Sequence, residues 1–393
     1  MTGVGHKVRQ FFLLFAGILA LCGCVYDYTP RDASLPGLNS PMVVIDGDII
    51  VGGITRVKVG FTQSLAADED SAVAVPLGVS VWVESEAGEV LSGRELEGNE
   101  FEINTENLSL QGRYRLGVSI PGKGEYCSAF KGVLVSPPID EITWSLSDDG
   151  TYVNIEVTTH NSAQEKLYCK WNYMENWESN SVFVPFLEYI PSSNNIRDLT
   201  QQEQYERRYC FSEAVSNDVC VANTERLSEN LISKYVLKQI ANTDTRVNGL
   251  YAITVTQKAL DKEAYQYWET LKKNMGETGG LFSAQPSEYR GNIRSLTNAD
   301  EIVLGYTSVS TTHTVRQFID WKSEQLFKTD CDYIILDGDI LLYHYYSLGY
   351  RPVFRVEDEG MFWSQLKCVD CRSYSNSTKP GFWPDKENES KLN

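Results

Sequence analysis

The chain of 393 residues has only four histidines, none in a His-Glu-x-x-His or any other two-histidine spacing, which removes the common zinc-hydrolase signatures. It also lacks a Gly-x-Ser-x-Gly elbow, a phosphate-cradling glycine loop and a dinucleotide fingerprint. With every local signature of catalysis missing, the expectation is a non-enzymatic protein without a cofactor or bound metal. Basic residues are scarce as well: 35 Lys and Arg stand against 53 Asp and Glu, for a formal charge of −18. Nucleic acid is therefore not an expected partner, because a binder must neutralise phosphates with clustered cations, and no such cluster occurs. Long apolar runs are missing too. The longest unbroken one, Phe11 to Leu21, has 11 residues where a bilayer span needs about 20. Internal repeats and low-complexity tracts are absent.

What remains is a globular composition, with 42% hydrophobic and 22% charged residues. A prior of about 150 residues per domain gives two or three domains. The short apolar run follows His6, Lys7 and Arg9, as in a secretory signal, and ends in Leu21-Cys22-Gly23-Cys24. That ending resembles a bacterial lipobox, in which a small residue precedes the cysteine that is acylated, for instance with palmitate. Cys24 fits better than Cys22, which follows the bulky Leu21. The expectation is a signal peptide over 1–23 and a lipid anchor on Cys24. A Pro- and Gly-rich tether over 24–41 would then hold the protein on a membrane without crossing it.

Such a protein meets an oxidising compartment, so its cysteines matter. After Cys22 and Cys24, seven remain, and an odd number leaves at least one thiol unpaired. Cys210 and Cys220 are close enough in sequence to close a local loop, and Cys331 has a choice of Cys368 or Cys371. A lone Cys-x-x-Cys at 368 and 371 suits a structural disulfide better than a zinc or redox site, because no second pair sits at zinc spacing.

The hydropathy pattern predicts a mainly β protein. Residues 42–136 alternate with period two, as in Val79, Val81, Val83 and in Tyr114, Leu116, Val118, Ile120, which predicts an immunoglobulin-like β-sandwich. Ser136-Pro137-Pro138 marks a boundary. A second β-rich domain is expected over 137–393, with a helical insertion near 185–240 and a Cys-containing tail. Thr200 with Glu203 has capping-box spacing, and Asp261 can cap a helix carrying Tyr265 and Trp268 on one face. A hairpin from Ile302 to Phe318, turning at Thr311-Thr312-His313, is predicted to follow. Asp46-Gly47-Asp48 and Asp337-Gly338-Asp339 read as turns between apolar runs.

Several motifs of the second half, taken in order, resemble one family. "YAITVTQKALDKEAYQYWETL" from Tyr251 to Leu271, "GGLFSAQPSEYRGNI" from Gly279 to Ile293, "VLGY" from Val303, "RQFI" from Arg316, "CVDCR" from Cys368 and "KPGFW" ending at Trp383 are similar to the Bacteroidota lipoprotein family called domain of unknown function 4249. "VVIDGDI" from Val43 is similar to that family's start. The Ser-rich stretch between Cys371 and Lys379 departs from the pattern. The resemblance implies an outer-membrane lipoprotein with no established catalytic residues, often encoded beside a TonB-dependent transporter. It leaves the face of the membrane undetermined.

Three features are then candidates for function. Trp171, Tyr173 and Trp177 share strand parity, so one face of a strand carries three rings, which either stack on a ligand such as a glycan or pack as core. Gly279, Gly280 and Phe282 lie in a motif that reads as a shaped loop for a ligand or partner, with Gly291 also expected to need an unusual backbone angle. Asp70-Ser71-Ala72 resembles the triplet that Bacteroidota glycosylate on exported proteins, which makes Ser71 a candidate glycosylation site in an acidic, exposed loop. The functional expectation is an accessory partner of a TonB-dependent transporter, assisting substrate capture or gating. The alternative is a stand-alone glycan-binding or adhesive lipoprotein using an aromatic platform.

Overall fold

The computed structural model describes residues 41–62, 75–162, 165–276, 291–321, 324–336 and 342–384. The fold is mainly β, with several sheets and few helices, as the alternating pattern predicts. Cys24, Ser71, Gly279, Gly280, Phe282 and the Asp337-Gly338-Asp339 turn lie outside the described residues.

The first sandwich is built on the predicted alternation. Arg113–Ile120 and Ser80–Ser85 pair antiparallel, and both turn their apolar residues inward. Opposite them lies a sheet ordered Val303–Leu304, Val43–Asp46, Ile54–Phe61, Glu100–Asn104 and Arg94–Glu95. Between the sheets, Val43, Ile45, Val57, Phe101, Leu116 and Ile120 are almost fully enclosed. Period-two alternation with one face buried fixes the register, since a slip of one residue would turn this whole set outward.

This sandwich does not end at residue 136. Ile293–Ser295 adds antiparallel to Gly124–Ser128, Val303–Leu304 adds parallel to Val43–Asp46, and Val309–Ser310 pairs parallel with Ile49–Ile50. Ile293, Val303 and Val309 join its core. The expected hairpin over 302–318 is therefore absent: its first arm belongs to the first sandwich, and Thr312–Asp320 is an edge strand of the second. Two glycines make the return possible. A Cβ on Gly305 would sit 1.9 Å from the Ile45 carbonyl oxygen, at a φ of +131°. A Cβ on Gly291 would sit 1.5 Å from the Gly305 oxygen, so Gly291 is required for close backbone approach, not for an unusual angle.

The second sandwich faces Ile139–Leu146, Tyr152–His160 and Leu231–Ala241 against a sheet centred on Tyr168–Asn180. That strand pairs with Leu250–Ala259 on one side and with Tyr209–Val215 and Cys220–Asn223 on the other. Helix α1, Gln201–Arg208, is capped by Thr200 and Glu203 in the predicted box. It is the sole helix of the 185–240 region among the described residues, the rest being largely strand. In helix α2, Lys262–Gly276, the Ala264 amide donates to the Asp261 carboxylate at 2.8 Å, and Ala264 and Tyr265 pack with Val221 and Tyr306.

A third cluster gathers the hairpin Leu187–Ile190 and Asn195–Asp198 with the sheet Tyr333–Leu336, Gly360–Gln365 and Tyr350–Val356. Helices α3, Leu342–Ser347, and α4, Leu366–Val369, complete it. Beyond it, Phe382 and Trp383 of the tail lie against Phe211 and Phe318, with the Arg316 guanidinium 3.4 Å from the centroid of the Phe382 ring.

Candidate functional site

The three rings on Tyr168–Asn180 do not form a surface. Trp171 is fully enclosed, Tyr173 and Trp177 nearly so, and all three belong to the core of the second sandwich. Trp171 stacks on Tyr235 at 4.9 Å and donates its indole N–H to the Gln257 side chain at 2.7 Å. Trp177 lies under the Arg246 guanidinium at 4.3 Å. Burial pushes the Tyr173 phenol well above its ordinary pKa. The strand is central in its sheet and a second sheet covers the ring-bearing face, so no sugar can reach it.

Cys331 takes the first of its two expected partners, whereas Cys210 pairs across the chain and does not close a local loop with Cys220. Cys210 bonds Cys371, and Cys331 bonds Cys368, so the two cysteines of the Cys-x-x-Cys motif enter different bridges. Cys220 is not in a disulfide. Its thiol is buried in the second sandwich, contacts the Leu237 carbonyl at 3.7 Å, and is pushed by burial to about 11. Cys127 and Cys169 are also buried thiols. Both bridges hold the third cluster: one closes it on itself, and the other ties it to strand Tyr209–Val215 of the second sandwich.

That cluster carries the apolar exposure that the aromatic strand does not. Tyr343 is 64% exposed, and Tyr333, Ile335, Leu348 and Phe186 are each exposed. Tyr333 and Ile335 alternate on one face of Tyr333–Leu336, which among the described residues pairs with one neighbour, Gly360–Gln365. Behind Tyr333 stand Phe362, edge-on at 5.0 Å, and Phe183 at 5.8 Å. Phe362 in turn stacks on Phe354 at 4.5 Å. Exposed rings backed by a packed aromatic layer are held at low entropic cost, which is what a binding surface requires.

The Asp46-Gly47-Asp48 turn has a separate use. Asp48 is buried, accepts the Ser308 amide at 3.0 Å, and pairs with Lys258 at 3.0 Å. Lys170 lies directly opposite Lys258 on the neighbouring strand, with its ammonium 3.1 Å from the centroid of the Trp268 ring. Burial opposes the charge on Asp48, but the two lysines and the amide outweigh it and hold the carboxyl below its usual range. Burial also lowers Lys170 to about 8, partly countered by Asp48. The cluster joins the loop after Val43–Asp46 to the second sandwich and helix α2.

Residues 28–316 match the family model described as domain of unknown function, DUF4249. No curated protein matches the chain. Among solved structures, it is similar to a DUF4785 family protein from Legionella pneumophila subsp. pneumophila str. Philadelphia 1, at 11% identity and a TM-score of 0.19, over 55% of this chain and 52% of that one. It is also similar to trypsin-activated alpha-2-macroglobulin from Escherichia coli, at 12% identity and a TM-score of 0.18, over 57% of this chain and 15% of that one. The chain thus spans about half the length of the first structure. At TM-scores this low, neither likeness bears on its activity.

Proposed function

From the premise that the chain belongs to the DUF4249 family, we propose that it is a non-enzymatic lipoprotein of the bacterial outer membrane. Anchored through Cys24, it serves as an accessory partner of a TonB-dependent transporter and assists substrate capture or gating. The observation that carries this reading is the exposed aromatic and aliphatic surface of Tyr333, Ile335, Tyr343 and Leu348, on a cluster held by two disulfides. An apolar surface maintained by covalent bonds suits a partner interface in an oxidising compartment. The lipobox-like Leu21-Cys22-Gly23-Cys24 supports the membrane location.

Affinity recovery from detergent-solubilised outer membrane tests it. The wild type is expected to bring a transporter with it in fixed ratio, and the double variant Tyr333→Glu/Ile335→Glu to lose it while keeping both disulfides. Retention on glycans with no transporter recovered would transfer the same surface to the adhesive reading. A Cys24→Ala variant that is still acylated would move the anchor to Cys22.

A further inference from the structure

Within the disulfide-held cluster lies a small, largely enclosed cavity of about 80 Å³, whose charged lining residues are Glu188, Arg207, Arg351 and Asp370. Its wall is pinned on one side by the two bridges. Val369 and Asp370 line it between Cys368, bonded to Cys331, and Cys371, bonded to Cys210. Arg207 enters from the last turn of helix α1, three residues before Cys210.

Hydrogen-bond accounting separates its acceptors from its donors. Glu188 already accepts from both Arg207 and Arg197. Asp370 accepts from the Arg372 guanidinium at 2.8 and 2.6 Å and from the Arg372 amide at 3.1 Å. Both lining carboxylates are therefore engaged. The arginines are engaged only in part. Arg207 leaves its Nε–H buried without a partner. Arg351 donates one terminal nitrogen to the carbonyl oxygens of Tyr346 at 3.1 Å and Tyr350 at 2.7 Å, and lies 3.9 Å from the centroid of the Tyr346 ring. Among the described residues, Arg351 is the one charge lining the cavity without an opposite partner. A guanidinium has five donors, and Arg351, half-buried, uses one terminal nitrogen on protein acceptors, whereas the buried Arg207 Nε–H is the donor whose lack of a partner is costly.

The remaining wall is largely apolar, from Leu187, Pro352, Leu366, Val369 and the rings of Tyr189 and Tyr346. We propose that this cavity binds a short aliphatic carboxylate, with its two oxygens answering Arg351 and the Arg207 Nε–H and its stem against the apolar wall. The volume has room for roughly six non-hydrogen atoms, if each is counted as one water-sized group. A phosphate would turn its further oxygens toward this largely apolar wall. The planar fork of arginine, in contrast, matches a carboxylate. The site is distinct from the exposed surface of the proposed partner interface and does not depend on it.

Calorimetric titration of the full, oxidised protein with butyrate tests the assignment, with butyramide and inorganic phosphate as comparison probes. Butyrate is expected to bind saturably and at least tenfold more tightly than either. Hydrogen exchange should slow at Leu187–Ile190 and Tyr350–Val356 on binding. Arg351→Gln is expected to weaken butyrate at least tenfold while retaining both disulfides and the native circular dichroism. Absence of saturable butyrate binding, equal affinity for butyramide, tighter phosphate binding, or a folded Arg351→Gln variant with unchanged affinity would each overturn it. Should that variant fail to fold, the contrast between butyrate and butyramide on the wild type decides alone.

Discussion

In the first sandwich, 19 buried side chains from two facing sheets and the short pair and loops beside them form one core, and neither disulfide crosses it. In the disulfide-held cluster, the main core has six buried side chains, several large rings remain in solvent, and both bridges of the described structure converge there. The difference follows from surface-to-volume scaling. A small unit cannot enclose enough apolar area to offset the entropy of ordering its chain, so covalent links that restrict the unfolded state take over part of the task. The cluster can then leave Tyr333, Ile335 and Tyr343 uncovered, which a unit stabilised by burial alone could not readily do.

The sharpest way to break this comparison is to remove burial where burial is expected to act alone. Phe101→Ala, at a position 2% exposed, should destabilise the first sandwich by about 3–5 kcal/mol in denaturant unfolding. A loss below 1 kcal/mol would mean that the core tolerates a cavity and that some other element holds the sandwich. Next comes removal of the covalent link. Cys331→Ser/Cys368→Ser opens a bridge with a sequence separation of 37 and should lower the local stability of the cluster by about 2–4 kcal/mol. Hydrogen exchange should then speed at Tyr333–Leu336 and Gly360–Gln365 and stay unchanged at Arg113–Ile120. Acceleration in both regions would show that they unfold as one cooperative unit.

The junction between the two sandwiches gives a third, smaller effect. Lys170 is lowered from 10.5 to about 8 by burial, countered in part by Asp48. Between those values the unfolded chain holds a proton that the folded chain has lost, so this residue makes stability rise as pH rises through the window. Relative to a Lys170→Met variant, the wild type should gain on the order of 2 kcal/mol between pH 8 and pH 10. Parallel pH profiles for the two proteins would assign the slope elsewhere. The smallest effect is at the helix that feeds Arg207 into the cluster. Thr200→Ala removes the capping box of α1 and should cost about 1 kcal/mol, read as faster amide exchange in the first turn of Gln201–Arg208.

Parts of this were legible from the residues because their signals are local. Alternation placed Val81 and Val83 inside, and two caps, Thr200 and Asp261, marked the starts of their helices. One bridge, Cys331–Cys368, was among the pairings expected, but the other was not legible, because pairing depends on distance after folding: Cys210 and Cys220 are near in sequence, yet Cys210 meets Cys371. Nor was the fate of the three rings, since parity shows that Trp171, Tyr173 and Trp177 share a face but not that a second sheet covers it. The arginine-lined cavity left no signal because its four charged residues come from four separated segments. The return of Ile293–Ser295, Val303–Leu304 and Val309–Ser310 to the first sandwich escaped detection because strands of two or three residues are too short to show a period.

That return governs the order of assembly. The contact between Asp48 and the Ser308 amide spans 260 positions, and the strands around it supply Ile293, Val303 and Val309 to the first core. A chain delivered from its N-terminus therefore presents most of this sandwich early but cannot close it until nearly all of the second sandwich, save its edge strand Thr312–Asp320, has followed. In that interval the edges of Val43–Asp46 and Gly124–Ser128 wait unpaired, which is the state most open to mispairing with another chain. Loop closure over such a separation is slow, and escort of the nascent protein matters most during that delay.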